Sequence, residues 1–486
     1  MITRSTRPAY GRTGAIAAGH PDAARAGTDV LARGGSAMDA AIAAQAVICV
    51  AMPQAAGLGG DMLALIRTED RILAVNGTGL SSAEAPDRYT SDGGASVTVP
   101  GLVDGWLVAH EAFGRLPLES ILEPAVRLAE SGFPVDRTLS RAVAAQAERL
   151  ERHGAGRWSL LGASEGRSWS QPELAATLRG IGAKGRAAFY EGAAGAAIAD
   201  AVRSQGGALS PDDLRRHRTA VGAPVTTTWD GGLLAVQPPS SQGVLLAMAA
   251  SYLEACAPPR SDLLPHLLVE ATEGAFAYRD RVAEGARLLD RPLEVDPERA
   301  GLRGGPRAYL HTAGVAAADS EGMVVSSLIS VFDDFGSAVY VPELGIVLNN
   351  RAGGFTAGAN ASGPSKRPVH TLAPAMIVRA DGTVLALATP GADGQVQTLL
   401  QVMAGVRFEG RALEAALAAP RWRSQEGGLL VEDGHPDADG LRARGHRVCA
   451  IPAGDDLFGA VVAAGIADGR PFAASDWRRL VTTGAI

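Results

Sequence analysis

The sequence predicts a mixed α/β fold, with helices dominating the first part of the chain and strands supplying much of the last part. Segments of helical length prevail before residue 312, and short strand-like runs bounded by turn residues prevail after it. The chain has 486 residues, enough for several domains or for one large layered body. Its 47% hydrophobic and 20% charged residues are ordinary for a soluble globular protein.

The predicted helices begin at residues that suit a helix start. Ser36 follows two glycines that end the first helix, and its hydroxyl is expected to cap a second, alanine-rich helix. Prolines 100, 117 and 172 precede or open later helices. Helices are therefore predicted at 20–31, 36–50, 102–113, 117–130, 172–178, 194–203, 243–253, 263–283, 396–406 and 411–417.

The predicted strands are short runs between turn residues. A glycine-rich run at 57–61 leads into a first strand hairpin, and a Gly- and Ser-rich surface loop is expected at 154–171. Strands are predicted at 62–67, 72–75, 223–229, 233–236, 312–318, 323–330, 338–341, 345–348, 375–379 and 384–388.

Charge and hydropathy exclude several classes of partner. A net charge of −7 without a local Lys/Arg run argues against nucleic acid and against an anionic membrane surface. The start of the chain is not followed by the apolar core of a secretory signal. The longest apolar stretch, at 40–52, contains Gln45 and is too short to span a bilayer. We therefore expect a cytoplasmic protein that acts on a small molecule.

Neither a cofactor nor a metal is expected from the sequence. The three cysteines Cys49, Cys256 and Cys449 match no metal spacing and no disulfide framework. The nine histidines include no His-x-x-x-His pair with a carboxylate on a helix. A Gly-x-Ser-x-Gly pattern at 162–166 lacks the preceding strand that a nucleophile elbow needs, so we interpret it as a surface turn.

Two hydroxyl residues flank the predicted hairpin of strands 312–318 and 323–330. The turn at 319–322 centres near residue 321, and Thr312 and Ser330 are equally distant from that centre. In an antiparallel pair they lie opposite one another with their side chains on the same face, so one hydroxyl can orient the other. Spacing alone favours the simpler interpretation, a cross-strand pair that merely suits a sheet.

Short motifs spread along nearly the whole chain change that balance, because together they resemble those of one family. The chain resembles the gamma-glutamyltransferase family of self-processing N-terminal nucleophile hydrolases. The fold that this resemblance implies is a four-layer αββα sandwich, in which two stacked antiparallel sheets lie between helical layers. The motifs are at 18–21, 34–41, 57–60, 99–106, 238–243, 335–337, 345–351, 366–368 and 390–391.

The resemblance implies a catalytic constellation. The family's nucleophilic threonine corresponds to Thr312, and its orienting hydroxyl corresponds to Ser330. The oxyanion-stabilising backbone of the family's Pro-Gly-Gly motif corresponds to Gly391 and Ala392, where a backbone N–H donor tolerates alanine.

The resemblance also implies self-cleavage. The hydroxyl of Thr312 would attack the carbonyl of His311, giving a large fragment, 1–311, and a small fragment, 312–486, that form one intertwined body. The new α-amine has a reference pKa of about 7.7–8.0, so it can act as general base for its own hydroxyl. The expected partners are the two self-associated fragments, and a homodimer is left open.

Departures from the family argue against a γ-glutamyl substrate. The family's glutamate-binding arginine corresponds to Thr78, an asparagine corresponds to Phe332, and the aspartate that pairs with the substrate ammonium corresponds to Gly354. These replacements remove several charge-assisted bonds worth about 1.5–3 kcal/mol each. Glutathione is therefore a poor candidate substrate.

Other segments resemble a hydrolase branch of the family that includes oxamate amidohydrolase. Arg351 is either a replacement clamp for a small carboxylate or part of a structural salt bridge. His370 and Thr371 either line the acyl pocket or pack at a strand end. The segments that carry this resemblance are at 328–332, 335–337, 367–372 and 391–398.

The leading hypothesis is a self-cleaving hydrolase that acts on a small acid with an adjacent carbonyl, such as an oxamate-like amide. One alternative is a C–C bond hydrolase that removes an oxalyl-type group during biosynthesis of alkylproline natural products. A second is a γ-glutamyl hydrolase or transferase. A third is a non-catalytic binding homologue, which the unusual context at 311–314 supports.

Overall fold

The structure is a computed structural model that describes residues 2–3, 6–84, 89–256, 262–301, 303 and 312–486. Two stacked sheets, each built of antiparallel strands, lie between two layers of helices. The four-layer αββα sandwich is therefore confirmed.

The strands are mostly short. In chain order they are β1 (Ile2–Thr3), β2 (Ala9–Tyr10), β3 (Gly14–Ala18), β4 (Asp61–Arg67), β5 (Ile72–Gly77), β6 (Phe133–Pro134), β7 (Ser168–Trp169), β8 (Ala220–Gly222), β9 (Val225–Trp229), β10 (Gly232–Val236), β11 (Ala313–Asp319), β12 (Val324–Ser330), β13 (Tyr340–Val341), β14 (Ile346–Val347), β15 (Ala375–Val378), β16 (Val384–Ala388), β17 (Trp422–Gln425), β18 (Gly428–Glu432), β19 (Val448–Ile451), β20 (Val462–Ala467), β21 (Arg470–Ser475) and β22 (Thr482–Ala485).

The α-helices flank the two sheets. They are α1 (Pro21–Ala32), α2 (Ala37–Ala51), α3 (Leu102–Phe113), α4 (Leu118–Ser131), α5 (Arg137–Leu150), α6 (Pro172–Lys184), α7 (Ala187–Tyr190), α8 (Gly192–Ser204), α9 (Pro211–Arg216), α10 (Gly243–Ala255), α11 (Leu264–Phe276), α12 (Gly394–Arg407), α13 (Leu413–Ala418) and α14 (Ala438–Ala443). Within the described ranges, no helix is both long and apolar enough to cross a membrane.

The two large sheets interleave distant parts of the chain. The first has eight strands in the order β1-β22-β3-β11-β12-β4-β5-β8. The second has seven strands in the order β2-β21-β20-β16-β15-β10-β9. The middle strands β3, β11, β12 and β16 are covered on both faces, so they are buried along their whole length rather than on alternate residues.

Three apolar clusters separate the four layers. Alternate residues of β11 show the division, since Val315 and Ala317 pack towards α1–α8 while Ala316 and Ala318 pack between the sheets. The third cluster joins the outer face of the second sheet to α10–α13. Small alanines between the sheets allow the two backbones to approach closely.

Local signals explain where the central helix begins. The Ser36 hydroxyl accepts a hydrogen bond from Asp39 N, and the Asp39 carboxylate accepts one from Ser36 N, which is a capping box. The buried Gln45 of α2 is satisfied by Trp106 and Ser327 at 2.7 and 2.6 Å. The predicted cap at Ser36 is thus confirmed.

Several predicted bounds differ from the structure. The helix predicted at 263–283 is α11 followed by a 3₁₀ segment, Arg279–Asp290, within which Gly285 adopts a non-helical φ of 59°. Helix α5 and the strands after residue 418 were not predicted. The pattern at 162–166 follows a 3₁₀ turn, Ser159–Gly162, rather than a strand, as expected for a surface turn.

Candidate active site

Three polar side chains lie together at one end of the first sheet. Thr312 directly precedes β11, Ser330 ends β12 and Asp61 begins β4, and Ser330 is paired with Asp61 across the β12–β4 ladder. Leu63, two residues after Asp61, and Leu328, two residues before Ser330, belong to the core between the sheets. Since alternate residues of a strand share a face, Ser330 and Asp61 also face the second sheet.

The predicted hairpin register is confirmed. Ala313 is paired with Ile329, so Thr312 lies opposite Ser330. Their hydroxyl oxygens are 3.4 Å apart, with Thr312 Oγ1 donating to Ser330 Oγ. Ser330 Oγ also accepts a hydrogen bond from Phe332 N at 2.9 Å, and both hydroxyl residues are buried. The backbone therefore fixes the Ser330 hydroxyl beside that of Thr312.

The close approach of the glycine-rich loop supports this end of the hairpin. A Cβ on Gly60 would lie 2.4 Å from the carbonyl oxygen of Ser330, so only glycine fits there without a backbone shift. This contact presses the loop before β4 against the end of β12. The close packing next to the Thr312–Ser330 pair thus explains why the glycine run includes a glycine at position 60.

The second sheet contributes a sharp bend after β16. Gly391 and Ala392 follow Pro390 with φ values of 123° and 48°, and such a conformation is unusual for alanine. The amide of Gln242 donates to the carbonyls of Ala392 and Thr371 at 2.9 and 2.7 Å, which ties the bend to the segment before β15. Pro390 lines the same cleft as Thr312.

Arg351 is a buried charged residue close to this site. Its side chain is fully buried, with Nε 3.7 Å from Asp61 Oδ2 and Cζ 4.0 Å from the centre of the Phe332 ring. None of its three nitrogens donates a hydrogen bond to a residue that the structure describes. Desolvation lowers the pKa of Arg351 to about 10, so the guanidinium remains charged at neutral pH.

His370 joins the second sheet to Asp61. Its Nδ1 accepts a hydrogen bond from Leu372 N at 3.2 Å, so the proton of the neutral ring is on Nε2, which lies 3.3 Å from Asp61 Oδ2. Burial, followed by the charge of Arg351, lowers the pKa of His370 to about 4. His370 is therefore a neutral donor that orients the Asp61 carboxylate at neutral pH. Thr371 is buried, and its backbone carbonyl accepts a hydrogen bond from Gln242 Nε2 at 2.7 Å.

A second arginine, Arg367, contacts the backbone at Thr78. Arg367 Nε donates to the carbonyl of Thr78 at 2.9 Å, and the next residue, Gly79, donates its N–H to Asp61 Oδ1 at 3.2 Å. Desolvation lowers the pKa of Arg367, and the Asp61 carboxylate opposes that shift. The guanidinium of Arg367 thus approaches the region of Thr78 from another segment.

There is little room for a side chain at position 354. A Cβ on Gly354 would lie 3.1 Å from the carbonyl oxygen of Val369, so a side chain there needs a local shift. Asp61 faces both Arg351 and Arg367, and the carboxylates of Asp333 and Asp393 also favour the charged form of Arg351. The three nitrogens of Arg351, which donate to no described residue, are donors of the kind that an anion accepts from.

Thr312 also lines an open cleft. The cleft has an apolar lining that includes Met52, Ala55 and Leu480, and its polar rim includes Asp456 and Arg479. His311, the expected cleavage partner of Thr312, lies outside the described residues.

Sequence reasoning missed Asp61 and Arg367. Asp61 was recognised only as the end of the glycine run, and Arg367 only as part of a family motif. A carboxylate directly after a glycine loop that precedes a buried strand was a usable signal for Asp61. No local pattern links Arg367 to Thr78, because 289 positions separate them.

The four-layer fold, with two stacked antiparallel sheets between helices, is that of the N-terminal nucleophile hydrolases. A solved structure, cephalosporin acylase from Bacillus halodurans, superposes on 99% of this chain and 97% of its own, with a TM-score of 0.89 and 27% sequence identity.

The chain belongs to the gamma-glutamyltranspeptidase family, whose sequence profile matches residues 23–298 and 296–485. It is 32% identical to a glutathione hydrolase-like proenzyme, YwrD, of Bacillus subtilis, over 91% of this chain and 93% of the relative. It is also 32% identical to the oxamate amidohydrolase proenzyme of Klebsiella pneumoniae, over 89% of this chain and 88% of the relative. The predicted family is confirmed, and relatives of similar identity differ in the substrates that they are named for.

Proposed function

We propose that this protein is a self-processing hydrolase whose nucleophile is Thr312 and whose substrate is a small acyl compound bearing a carboxylate, such as an oxamate-like amide. The observation that carries the proposal is the buried guanidinium of Arg351, which has no hydrogen-bond acceptor among the described residues and lies beside Asp61, Ser330 and Thr312. A planar, desolvated guanidinium suits bidentate binding of a carboxylate.

Maturation begins with the hydroxyl of Thr312. Its oxygen attacks the carbonyl carbon of His311, the peptide C–N bond breaks, and the Thr312 nitrogen leaves as an amine. Water then hydrolyses the resulting ester, giving fragments 1–311 and 312–486. Ser330 accepts the hydrogen bond of the attacking hydroxyl, which holds the oxygen in place.

Turnover uses the amine that maturation creates. The neutral α-amine of Thr312 takes the hydroxyl proton while the oxygen attacks the substrate carbonyl. Backbone N–H groups at Gly391 and Ala392 stabilise the negative charge on the carbonyl oxygen, for which the bend after β16 is suited. The protonated amine then donates to the leaving ammonia, and water hydrolyses the ester to release the acid.

The Arg351 donors, which no described residue accepts from, support an anionic acyl group. Arg351 binds the substrate carboxylate, while Asp61 and His370 orient the guanidinium and Arg367 adds positive charge. Thr78 and Gly354 provide neither the carboxylate clamp nor the ammonium partner of a γ-glutamyl group. The similarity to an oxamate amidohydrolase proenzyme agrees with this substrate class.

The open cleft supports a second candidate with a larger leaving group. Its apolar lining at Met52, Ala55 and Leu480 suits a bulky body on the far side of the scissile bond. Such a substrate carries an oxalyl-type group on carbon, and the reaction is C–C bond hydrolysis, with the α-amine protonating the departing carbon. The same Arg351 would bind the oxalyl carboxylate.

A comparison of variants tests the nucleophile. Thr312→Ala is expected to remain one unbroken, inactive chain on a denaturing gel, because it lacks the attacking oxygen. Thr312→Ser keeps a hydroxyl and is expected to be cleaved, at a reduced rate. Hydrolytic activity in the alanine variant would refute the assignment.

A substrate panel tests the specificity. Wild-type protein is expected to convert oxamate to oxalate and ammonium, and to leave a chromogenic γ-glutamyl anilide intact. Release of oxalate from an oxalyl-bearing proline precursor, with oxamate untouched, would favour the second candidate. Rapid cleavage of the anilide would contradict both.

A further inference from the structure

A second cluster of polar side chains lies away from the residues around Thr312. His266 and Glu270 are one turn apart on α11, and His446 lies between α14 and β19. One ligand atom from each of the three lies within 4.8 Å of the others. His266 and Glu270 are 1% exposed and His446 is 9% exposed.

The hydrogen bonds of His266 fix the direction of its free electron pair. Its Nε2 lies 2.9 Å from the carbonyl oxygen of Asp296, which can only accept, so Nε2 carries the proton. The lone pair of Nδ1 therefore points at His446 Nε2, 2.8 Å away. A histidine whose second nitrogen donates to a backbone carbonyl is the usual arrangement of a metal ligand.

His446 places its Nε2 beside His266 Nδ1 and also lines the adjoining pocket. His446 donates from Nε2 to His266 without a metal. Metal binding requires that this proton move to Nδ1, a change of tautomer that water can mediate, since His446 lines an open pocket.

Glu270 completes the set of ligands but is shared with Arg303. Its Oε1 accepts from Gly301 N at 3.0 Å and its Oε2 from Arg303 Nη1 at 3.1 Å. A carboxylate offers about four acceptor positions, so Oε1 can keep the backbone bond while Oε2 turns to a cation. The side chain of Arg303 is 23% exposed and can swing towards solvent, which makes it a competitor of the metal.

We propose that His266, Glu270 and His446 form a binding site for a divalent transition-metal ion of the zinc class. Two imidazoles and one carboxylate match the preference of Zn²⁺ and Co²⁺, whereas Ca²⁺ and Mg²⁺ prefer oxygen ligands alone. The adjoining pocket gives the ion an entry path and a fourth position for water.

The site joins two parts of the chain. His266 and Glu270 precede residue 312, and His446 follows it. If the chain is cut before Thr312, the ion links the large fragment to the small one through their side chains. This consequence rests on the proposed cleavage, whereas metal binding itself does not. Uncleaved Thr312→Ala protein is therefore expected to bind zinc as the wild type does.

The test is a titration of chelator-treated, full-length protein. Binding of ZnCl₂ is measured by calorimetry, and binding of CoCl₂ is measured by visible absorption. One ion per chain is expected, with the visible bands of four- or five-coordinate Co²⁺. His446→Gln and Glu270→Gln are expected to weaken binding at least 10-fold, a loss typical of damaged metal sites. His153→Gln, which removes a histidine outside the cluster, is expected to leave binding unchanged.

Arg303→Gln is expected to have an effect on zinc binding that a folding defect could not produce. Removal of the competing guanidinium is expected to tighten zinc binding several-fold. The absence of zinc uptake by wild-type protein would overturn the proposal, as would equal uptake by wild type and His446→Gln. Unchanged affinity in Arg303→Gln would overturn Glu270 as a ligand.

Discussion

At the scale of single residues, Arg351 combines full burial with a lack of hydrogen-bond acceptors among the described residues. Burial of a charged group without such acceptors costs several kcal/mol, so a site that retains it has a use for the charge. The Phe332 ring covers one face of the guanidinium and Asp61 approaches its Nε. The remaining donors are suited to a substrate carboxylate.

Replacement of Arg351 tests that role. Arg351→Gln is expected to lower kcat/KM for an anionic substrate 10- to 100-fold, mainly through KM, because each lost charged hydrogen bond is worth about 1.5–3 kcal/mol. Arg351→Lys keeps the charge but loses the planar fork, and an intermediate loss is expected. Oxalate should raise the melting temperature of the wild type and not of Arg351→Gln. Wild-type kinetics in both variants would exclude a substrate contact.

The pKa of His370 makes stability depend on pH in a defined window. Its folded value of about 4 lies below the unfolded value of about 6.5, so the unfolded chain binds more protons between these values. Stability contributed by neutral His370 is present above pH 6.5 and is lost as pH falls towards 4.

This dependence is measurable by urea unfolding at pH 7.5 and pH 5.0. Wild-type protein is expected to lose roughly 2 kcal/mol more unfolding free energy across this interval than His370→Gln, which lacks the titrating group. Equal losses in the two proteins would show that His370 does not remain neutral in the folded state.

Single residues differ in how far the sequence predicts their roles. Arg351 and His370 were recognised because they lie in family motifs, and the structure brings both to Asp61. Asp61 and Arg367 were missed because their contacts join segments far apart in the chain. The same reason hid the His266–His446 pair, whose members are separated by 180 positions.

At the scale of elements, the β11–β12 hairpin determines the geometry of the candidate site. Asp319 anchors its turn, since Oδ1 accepts from Glu321 N and Met323 N at 3.0 and 3.1 Å and Oδ2 accepts from Ala37 N at 2.9 Å. The turn thereby fixes the register that brings Thr312 opposite Ser330. Local turn chemistry and symmetric spacing are both visible in the sequence, which is why this pairing was predictable.

Other elements were not predictable from local patterns. Strand β3 is fully buried and consists of glycine, alanine and one isoleucine, so it lacks the alternation and β-branched residues that indicate a strand. Its strand conformation is imposed by β11 and β22 on either side. Strands β20 and β21 similarly depend on pairing with β16 and β2.

The packing of the hairpin between the sheets can be tested at Leu328. This residue is fully buried in the inter-sheet cluster, so Leu328→Ala is expected to lower the free energy of unfolding by 2–5 kcal/mol, as in other large-to-small core changes. Val221→Ala, on the exposed edge strand β8, serves as the control and is expected to change it by less than about 0.5 kcal/mol. Similar effects of both changes in urea unfolding would contradict the layer assignment.

At the scale of the whole molecule, the two expected fragments share both sheets. In the first sheet, β3 from the early part lies between β22 and β11 from the late part, and β12 pairs with β4. In the second sheet, β10 pairs with β15. Separation of the fragments would therefore break sheet ladders and open the inter-sheet core.

This interlocking predicts the behaviour of cleaved protein. The two fragments are expected to elute together in size-exclusion chromatography under native conditions and to separate only in denaturant, because their shared core would otherwise be exposed. Elution of two separate species from native cleaved protein would contradict the shared-sheet architecture as the mature state.

The central claim is that the Thr312 α-amine, freed by cleavage before it, is the catalytic base for the Thr312 hydroxyl. The most direct measurement is mass spectrometry of active, purified protein together with sequencing of its new amino terminus. The account predicts a small fragment that begins at Thr312, and the amount of this fragment is expected to be proportional to the activity. Active material made of one unbroken chain, or a fragment that begins at another residue, would contradict it.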